Sequence, residues 1–341
     1  MISNISRRTF LIDRLLLGAA ALWSMRSRAF AANSSGFGQY STAEEVTRGI
    51  NLTGKTALVT GCSSGIGYET MRVLALRGAH VLGLARTLEK ATQACTQAVT
   101  KDSKGKATPL ACEQSDFGSV VACADAVHAL HMPIDMLTCN AGIAFDPTLK
   151  LIHGVEQHFA INHLSHFILV NRLLADVKRA PQGRIVIVGS QSYRSAPPEG
   201  IDFDNLAGQR SYDRFRMYAQ SKLANGLFAR ELAKRLKGTG ITANVLHPGL
   251  IETNIFKYLD EKQRPKAGQF YGKMFVKNVQ QGAATTCYVA TSPPLTRVSG
   301  VYFEDCNIVA PEGHMQDDAL AAKLWAVSEE LTRPYLLTWR F

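Results

Sequence analysis

The tightest constraint on this chain is a short β-rich run, Thr56 to Thr60, that feeds straight into Gly61-Cys62-Ser63-Ser64-Gly65-Ile66-Gly67 and then a helical pattern to about Arg77. Strand, glycine turn, helix is the local order that a phosphate-binding turn requires. A glycine without Cβ lets backbone N–H groups approach a pyrophosphate, and the helix start behind it carries partial positive charge. On this reading Gly61, Ser63, Ser64, Gly65, Ile66 and Gly67 are candidate cofactor-binding residues. The bland alternative is a tight β–α turn with no ligand. A rival motif overlaps it: Gly61-Cys62-Ser63-Ser64-Gly65 also reads G-x-S-x-G, the nucleophile elbow of an α/β-hydrolase. There Ser63 would be the nucleophile, with His247 or His314 as the downstream base. That reading gives Gly67 no purpose and sets the nucleophile after the first strand, early for such a fold.

The rest of the chain repeats the strand–helix alternation. His80 to Leu84 reads as a second strand ending in Ala85-Arg86. An acidic residue here would hold a ribose 2′-hydroxyl, whereas an arginine suits a 2′-phosphate. Arg86 therefore favours NADP(H), with NAD(H) as the alternative. Ala107 to Ala111 is a third strand, and Pro109 keeps it from a central position. Asp116 is placed to cap the helix that follows, to Leu130. Ile134 to Thr138 runs into Cys139-Asn140-Ala141-Gly142, where small residues leave room for a ligand and Asn140 can tie neighbouring strands. Gly154 to Val177 reads as one long helix carrying Asn162. Four histidines, His153, His158, His163 and His166, crowd this region, but no acid or cysteine stands at ligand spacing, so no metal is expected.

Arg184 to Gly189 is a strand ending at Ser190, and Ile241 to Leu246 is another, broken by His247-Pro248-Gly249. Between them lies a long loop, Gln191 to Asp213. Thr253 follows Gly249 closely enough for its hydroxyl to meet a cofactor amide or phosphate. Ile255 to Val279 shows no clear period and reads as a lid or substrate wall. A helix near Gln280 to Ala290, a strand at Val301 to Phe303 and a helix near Asp318 to Leu331 complete the chain. Alternating strands and helices imply an α/β, Rossmann-type, doubly wound parallel sheet with helices on both faces, in a single domain. Ligands bind at the carboxyl ends of such strands. The glycine turn, Asn140, Ser190 and Pro248-Gly249 all fall at such ends.

Tyr218 and Lys222 add chemistry to that crevice. They are four apart in an amphipathic run from Arg214 to Leu236, so a helix stacks them on one face. A nearby ammonium favours a phenolate and lowers a tyrosine pKa from its usual value of about 10. The pair reads as an acid/base with its tuner. Taken alone, a lysine above a packed tyrosine is the plainer reading.

The amino terminus differs from the body. Ser6-Arg7-Arg8-Thr9-Phe10-Leu11, an apolar run from Leu15 to Trp23 and Ala29-Phe30-Ala31 follow the order of a twin-arginine export signal over residues 1–31. Export would place the chain in the periplasm; a leader that stays unused leaves it in the cytoplasm. Residues 32–50 read as a flexible lead into a domain over 51–341. Removing the leader lowers the net charge from +10 to about +6. The basic residues are scattered rather than interleaved with aromatics, which argues against nucleic-acid binding. No apolar run in the body is long enough to span a bilayer. The seven cysteines form no C-x-x-C pair and read as buried thiols.

Taken together, Thr60 to Gly67, Asn140-Ala141-Gly142, Asn162, Ser190, Tyr218, Lys222 and Pro248-Gly249 resemble the short-chain dehydrogenase/reductase family, in its order, from about Leu52 onward. Ser221-Lys222-Leu223-Ala224-Asn225, Asp305-Cys306 and Leu324-Trp325 look like the branch that contains retinol dehydrogenases and the WW-domain oxidoreductase. The resemblance implies Tyr218 as proton donor or acceptor, Lys222 as its tuner and holder of the nicotinamide ribose, Ser190 as the group polarising a substrate carbonyl, and Asn162 in a water-mediated relay. Four positions depart from the family pattern: Glu113-Gln114 replaces Asp-Leu, and Cys139 and Gly189 replace an asparagine and a serine. The expected function is NADP(H)-dependent interconversion of a small-molecule alcohol and carbonyl, on an apolar substrate. The alternatives are a nucleotide sensor without turnover and the Ser63 hydrolase. Self-association into a homo-oligomer is left open.

Overall fold

A computed structural model describes residues 35–336, residue 273 apart, so the twin-arginine leader lies outside the described residues. Eight strands form the central sheet: β1 (Thr56–Thr60), β2 (His80–Ala85), β3 (Lys106–Ala111), β4 (Met136–Cys139), β5 (Arg184–Val188), β6 (Thr242–His247), β7 (Tyr302–Glu304) and β8 (Asn307–Val309). Their spatial order is β8-β7-β6-β5-β4-β1-β2-β3. All pairings are parallel except β7–β8. The order reverses at β1/β4, the switch point where a ligand crevice opens in a doubly wound sheet. Strand β3 is an edge strand, so Pro109 withholds an N–H that no inner neighbour needs.

Seven helices matter for the site: α1 (Gly65–Leu76), α2 (Leu88–Ala98), α3 (Phe117–His128), α4 (Ser165–Lys178), α5 (Arg214–Arg235), α6 (Ala284–Thr291) and α7 (Asp318–Thr332). Strands β1, β4, β5 and β6 are buried throughout, as a sheet covered on both faces demands. One apolar cluster lies on the face covered by α3, α4, α5 and α7, and a second on the face covered by α1, α2 and α6. The helix starts are capped where the sequence offers short polar groups. Asp116 accepts from Gly118 N at 2.9 Å, Asp213 from Phe215 N and Arg216 N at 2.9 and 2.8 Å, and Asp317 from Leu320 N at 2.9 Å. Trp325 of α7 is buried edge-on to Phe167 at 4.9 Å, locking α7 onto α4 and α5. All seven cysteines are free and buried.

Four sequence expectations change. The lead over 32–50 is not loose where it is described. Ser35 N donates to Asn307 Oδ1 at 3.0 Å, Asn307 Nδ2 donates to Phe37 O at 2.9 Å, and Phe37 meets the Tyr288 ring edge-on at 5.9 Å. A short helix, Ala43–Val46, then buries Ala43 and Val46. Enough apolar surface sits among the polar residues to dock the segment on α6. Second, the stretch read as one helix from Gly154 is broken into Gln157–Phe159, a π-turn over Ala160–Leu164, and α4. Third, the 255–279 segment read as irregular holds a hairpin, with Phe270–Tyr271 against Met274–Phe275. Val276 and Lys277 extend it by pairing with Leu250 and Ile251. Fourth, β8 is absent from the sequence reading, because its connection, Asp305-Cys306, lacks the glycine that marks a tight hairpin.

Candidate active site

The glycine turn is built for close approach. Gly61 and Gly65 have φ of +68° and +57°, the left-handed region that other residues enter at a cost. A Cβ on Gly67 would stand 2.4 Å from both Asn140 Nδ2 and Gly61 O, so only glycine lets α1 pack on the turn. Ser63 and Ser64 are exposed at the mouth, and Ser64 precedes α1 without a side-chain cap, leaving that helix start open to an anion. Thr253 faces the turn from the other side: a Cβ on Gly65 would lie 3.4 Å from its methyl group. Among the described residues no histidine is bonded to the elbow's serine, Ser63, and His314 bonds instead to Pro198 O at 2.7 Å.

Asn140 ties strand ends together. Its Nδ2 donates to Thr60 O at 2.9 Å, and its backbone N and that of Ala141 donate to Thr60 Oγ1 at 2.8 and 2.9 Å. With two donors already at Oγ1, the Thr60 hydroxyl points its own hydrogen to His166 Nε2, 3.0 Å away. His166 Nδ1 then donates to Asn162 O at 3.1 Å, which makes His166 the neutral Nδ1–H tautomer. Burial holds it neutral, down to about 4, with the Lys222 charge adding to the effect. This chain links the glycine turn to the π-turn, and nothing in the residue spacing announces it. His158 and His163 are likewise buried and bonded within the body, to Glu156 and Ser328.

The π-turn aims Asn162 into the crevice. Its Oδ1 accepts from Ile143 N at 2.8 Å, and its Nδ2 donates to Ile143 O at 3.0 Å and Ser221 Oγ at 2.9 Å. A widened turn of this kind adds a residue to the helix and redirects a side chain, a common device at functional sites. Gly142 lies against it, since a Cβ there would stand 3.0 Å from Asn162 Oδ1 and 3.8 Å from Lys222 Nζ.

Tyr218 and Lys222 stand on α5 one turn apart, both buried, with Lys222 Nζ 5.7 Å from the phenol ring centroid. Lys222 Nζ donates to Val188 O at 3.1 Å, at the end of β5. No carboxylate meets it among the described residues, and burial pulls it down to about 8. The tuning expected from sequence runs the other way for Tyr218. Burial pushes its phenol up to about 12, and the Ser190 hydroxyl pulls it part of the way back. Ser190 sits just past β5, its Oγ accepting from Ser192 N and donating to Ser192 Oγ, both at 3.1 Å. Ser190, Asn162, Tyr218 and Lys222 thus converge at the carboxyl ends of β4 and β5.

The other expected residues frame this centre. Arg86 is exposed immediately after β2, with no ion-pair partner among the described residues. Pro248 and Gly249 follow β6, Gly249 with φ of +103°. Gln114, which departs from the family pattern, is buried and turned inward: Ser165 Oγ donates to its Oε1 at 2.5 Å. The sequence reading missed Phe145. It adopts φ of +59° and meets Tyr218 edge-on at 4.8 Å, with Phe215 and Phe256 at 5.0 and 6.1 Å behind it. A left-handed aromatic beside Tyr218 is a strained position that a wall for a ligand would explain.

Against known proteins, residues 55–264 match the family model described as short chain dehydrogenase. The chain is 40% identical over 311 residues to short-chain dehydrogenase TIC 32 B, chloroplastic, of Brassica napus, covering 88% of this chain and 95% of that one. It is 36% identical over 290 residues to human retinol dehydrogenase 14, covering 81% and 85%. A solved protein from Mycobacterium paratuberculosis superposes with a TM-score of 0.66 at 29% identity, over 86% of this chain and 98% of that one. A metagenomic blue fluorescent protein solved in complex with NADPH superposes with a TM-score of 0.57 at 26% identity, over 74% and 96%.

Proposed function

The chain belongs to the short-chain dehydrogenase family of oxidoreductases, and from that premise we propose that it interconverts an alcohol and a carbonyl with NADP(H), using Tyr218 as acid/base on an apolar substrate. The observation that carries the proposal is the convergence of Ser190, Asn162, Tyr218 and Lys222 on one crevice beside the glycine turn. The residues present fit a dinucleotide. Gly61, Gly65 and Gly67 leave a cradle that a Cβ would fill, and the uncapped start of α1 suits a pyrophosphate. Arg86 stands free at the end of β2 for a 2′-phosphate, which supports NADP(H) over NAD(H). The related protein solved with NADPH points the same way. Thr253, Asn140, Gly142, Pro248 and Gly249 line the remaining path. When bound, the nicotinamide supplies or takes the hydride.

The chain's own part is proton handling and orientation. In the reducing direction Ser190 Oγ–H and the Tyr218 phenol bond the carbonyl oxygen, and the phenol proton passes to it as the alcohol forms. A phenol held near 12 keeps that proton across the neutral range, as an acid must. Lys222, charged below about pH 8, stabilises the phenolate left behind. Asn162, bridging Ile143 and Ser221, fixes the floor over which a water can resupply the proton. In the oxidising direction the same steps run backward. Phe145, Phe215 and Phe256 support an apolar substrate, and burial of both titrating groups excludes bulk water. A twin-arginine passage to the periplasm remains part of the proposal, tested by sequencing the mature amino terminus from fractionated cells.

The decisive assay follows NADPH oxidation with a panel of apolar aldehydes and ketones. Tyr218→Phe keeps the ring and removes the proton, so turnover falls by roughly 10²–10⁴-fold while cofactor binding persists. Binding without turnover on any carbonyl would make the protein a sensor instead. Full activity in Tyr218→Phe would remove the acid/base assignment.

A further inference from the structure

We propose that Lys277 is a positioning residue that sets the nicotinamide end of the cofactor site by gripping the Pro248–Gly249 turn, with Asp305 holding the grip. The inference rests on the cofactor reading above. The sheet order fixes which end is meant. Arg86 follows β2, the glycine turn follows β1, and Ser190 follows β5, in spatial order β6-β5-β4-β1-β2. A dinucleotide laid from Arg86 across the glycine turn to Tyr218 brings its reactive ring to the turn after β6, which is Pro248–Gly249.

Lys277 holds that turn in three ways. Its side chain fills the space a Cβ on Gly249 would take, with Cδ and Cε both 2.8 Å from that point. Its Nζ donates to Pro248 O at 3.2 Å. Its backbone pairs with Ile251 and accepts from Glu252 N at 3.2 Å, so the segment leaving the turn is fastened too. The lysine is only 3% exposed, an expensive place for an ammonium without a partner. That partner is Asp305 Oδ1, 2.5 Å away.

Asp305 reaches Lys277 from an unusual backbone. It and Cys306 form the two-residue connection between β7 and β8, with φ of +48° and +63°. Such a turn favours Asn-Gly, and two side-chain-bearing residues there carry strain. Thr285 holds it in place, its Oγ1 accepting from Cys306 N at 3.2 Å. A strained hairpin whose tip aims a carboxylate at a buried lysine, itself bonded to the turn beside the reactive centre, makes structural sense as a brace.

The test separates the two ends of the cofactor. NADPH and its fragment 2′-phospho-ADP-ribose, which lacks the nicotinamide, are titrated against wild type, Lys277→Met, Lys277→Arg and Asp305→Asn. Lys277→Met retains the stem under Gly249 and loses the ammonium. The expected result is about ten-fold weaker NADPH binding with fragment binding within about two-fold of wild type, and partial rescue in Lys277→Arg. Asp305 is part-exposed, so Asp305→Asn carries the same comparison should Lys277→Met fail to fold. Equal loss of NADPH and fragment, or no loss of either, overturns the positioning role. A wild type that binds neither ligand removes the cofactor reading and this inference together.

Discussion

Lys222 is a charge kept where charge is costly. Burial draws it from its ordinary 10.5 down to about 8, and it donates to a backbone carbonyl. Two outcomes follow. The first concerns activity: kcat/KM for carbonyl reduction holds below about pH 8 and falls above it as Lys222 loses its proton, which a pH–rate profile on the free enzyme reads directly. The second concerns stability. Below pH 8 the lysine is charged in both folded and unfolded chains, so the cost of burying it is fully present. Between 8 and 10.5 the folded chain releases the proton while the unfolded chain keeps it, and the cost fades as pH rises. Lys222→Met therefore stabilises the cofactor-free protein at pH 7 by up to about 3 kcal/mol while abolishing turnover, and the gain shrinks toward pH 10. Urea unfolding at the two pH values measures it; a destabilised Lys222→Met at pH 7 contradicts this account. At this scale the sequence picks out Ser190, Tyr218 and Lys222 by type and by their place at strand ends or one helical turn apart, and the fold brings them to one crevice. It does not give the direction of the Tyr218 shift, since burial is made by the whole fold. Nor does it reveal Lys277 and Asp305, which meet across 28 positions with no periodic signal.

Among the elements, the β1–α1 unit was readable almost to the residue, because glycine placement and a buried five-residue strand leave few options. The length of α5 was equally plain, the run read from Arg214 to Leu236 meeting a helix over Arg214–Arg235. The π-turn was not, since a helical period read over 24 residues absorbs one extra residue without losing its apolar face. The turn after β1 gives a sharp test of close packing. Gly67→Ala drives a methyl group to 2.4 Å from Gly61 O, a backbone atom that cannot swing aside. The expected cost is about 1–3 kcal/mol in thermal or urea unfolding, together with weaker NADPH binding. An alanine at Gly38, whose surroundings are open, leaves both unchanged and serves as the control. Unaltered cofactor affinity in Gly67→Ala would separate the turn from the ligand.

On the scale of the whole molecule, strand and helix alternation was enough to read the doubly wound sheet and its crevice. What escaped was attachment: residues 35–46 dock on α6 through Phe37, Ala43 and Val46, a matter of three-dimensional fit rather than local pattern. The seven thiols are the other global property. Cys139 and Cys287 are pushed well up by burial and Cys306 to about 11, while a hydrogen bond from the Cys62 thiol lowers Cys95; burial of all seven is what keeps them from reagents. A colorimetric thiol reagent is expected to titrate fewer than about one group in the native protein and all seven in denaturant. Rapid native labelling of several would mean the core opens readily. The consequence is one of timing. A chain still unfolded when it meets an oxidant exposes every sulfur to mispairing, whereas one that has already closed around them passes through the same surroundings untouched. Under the proposed export, completing its shape beforehand would be chemical protection in itself.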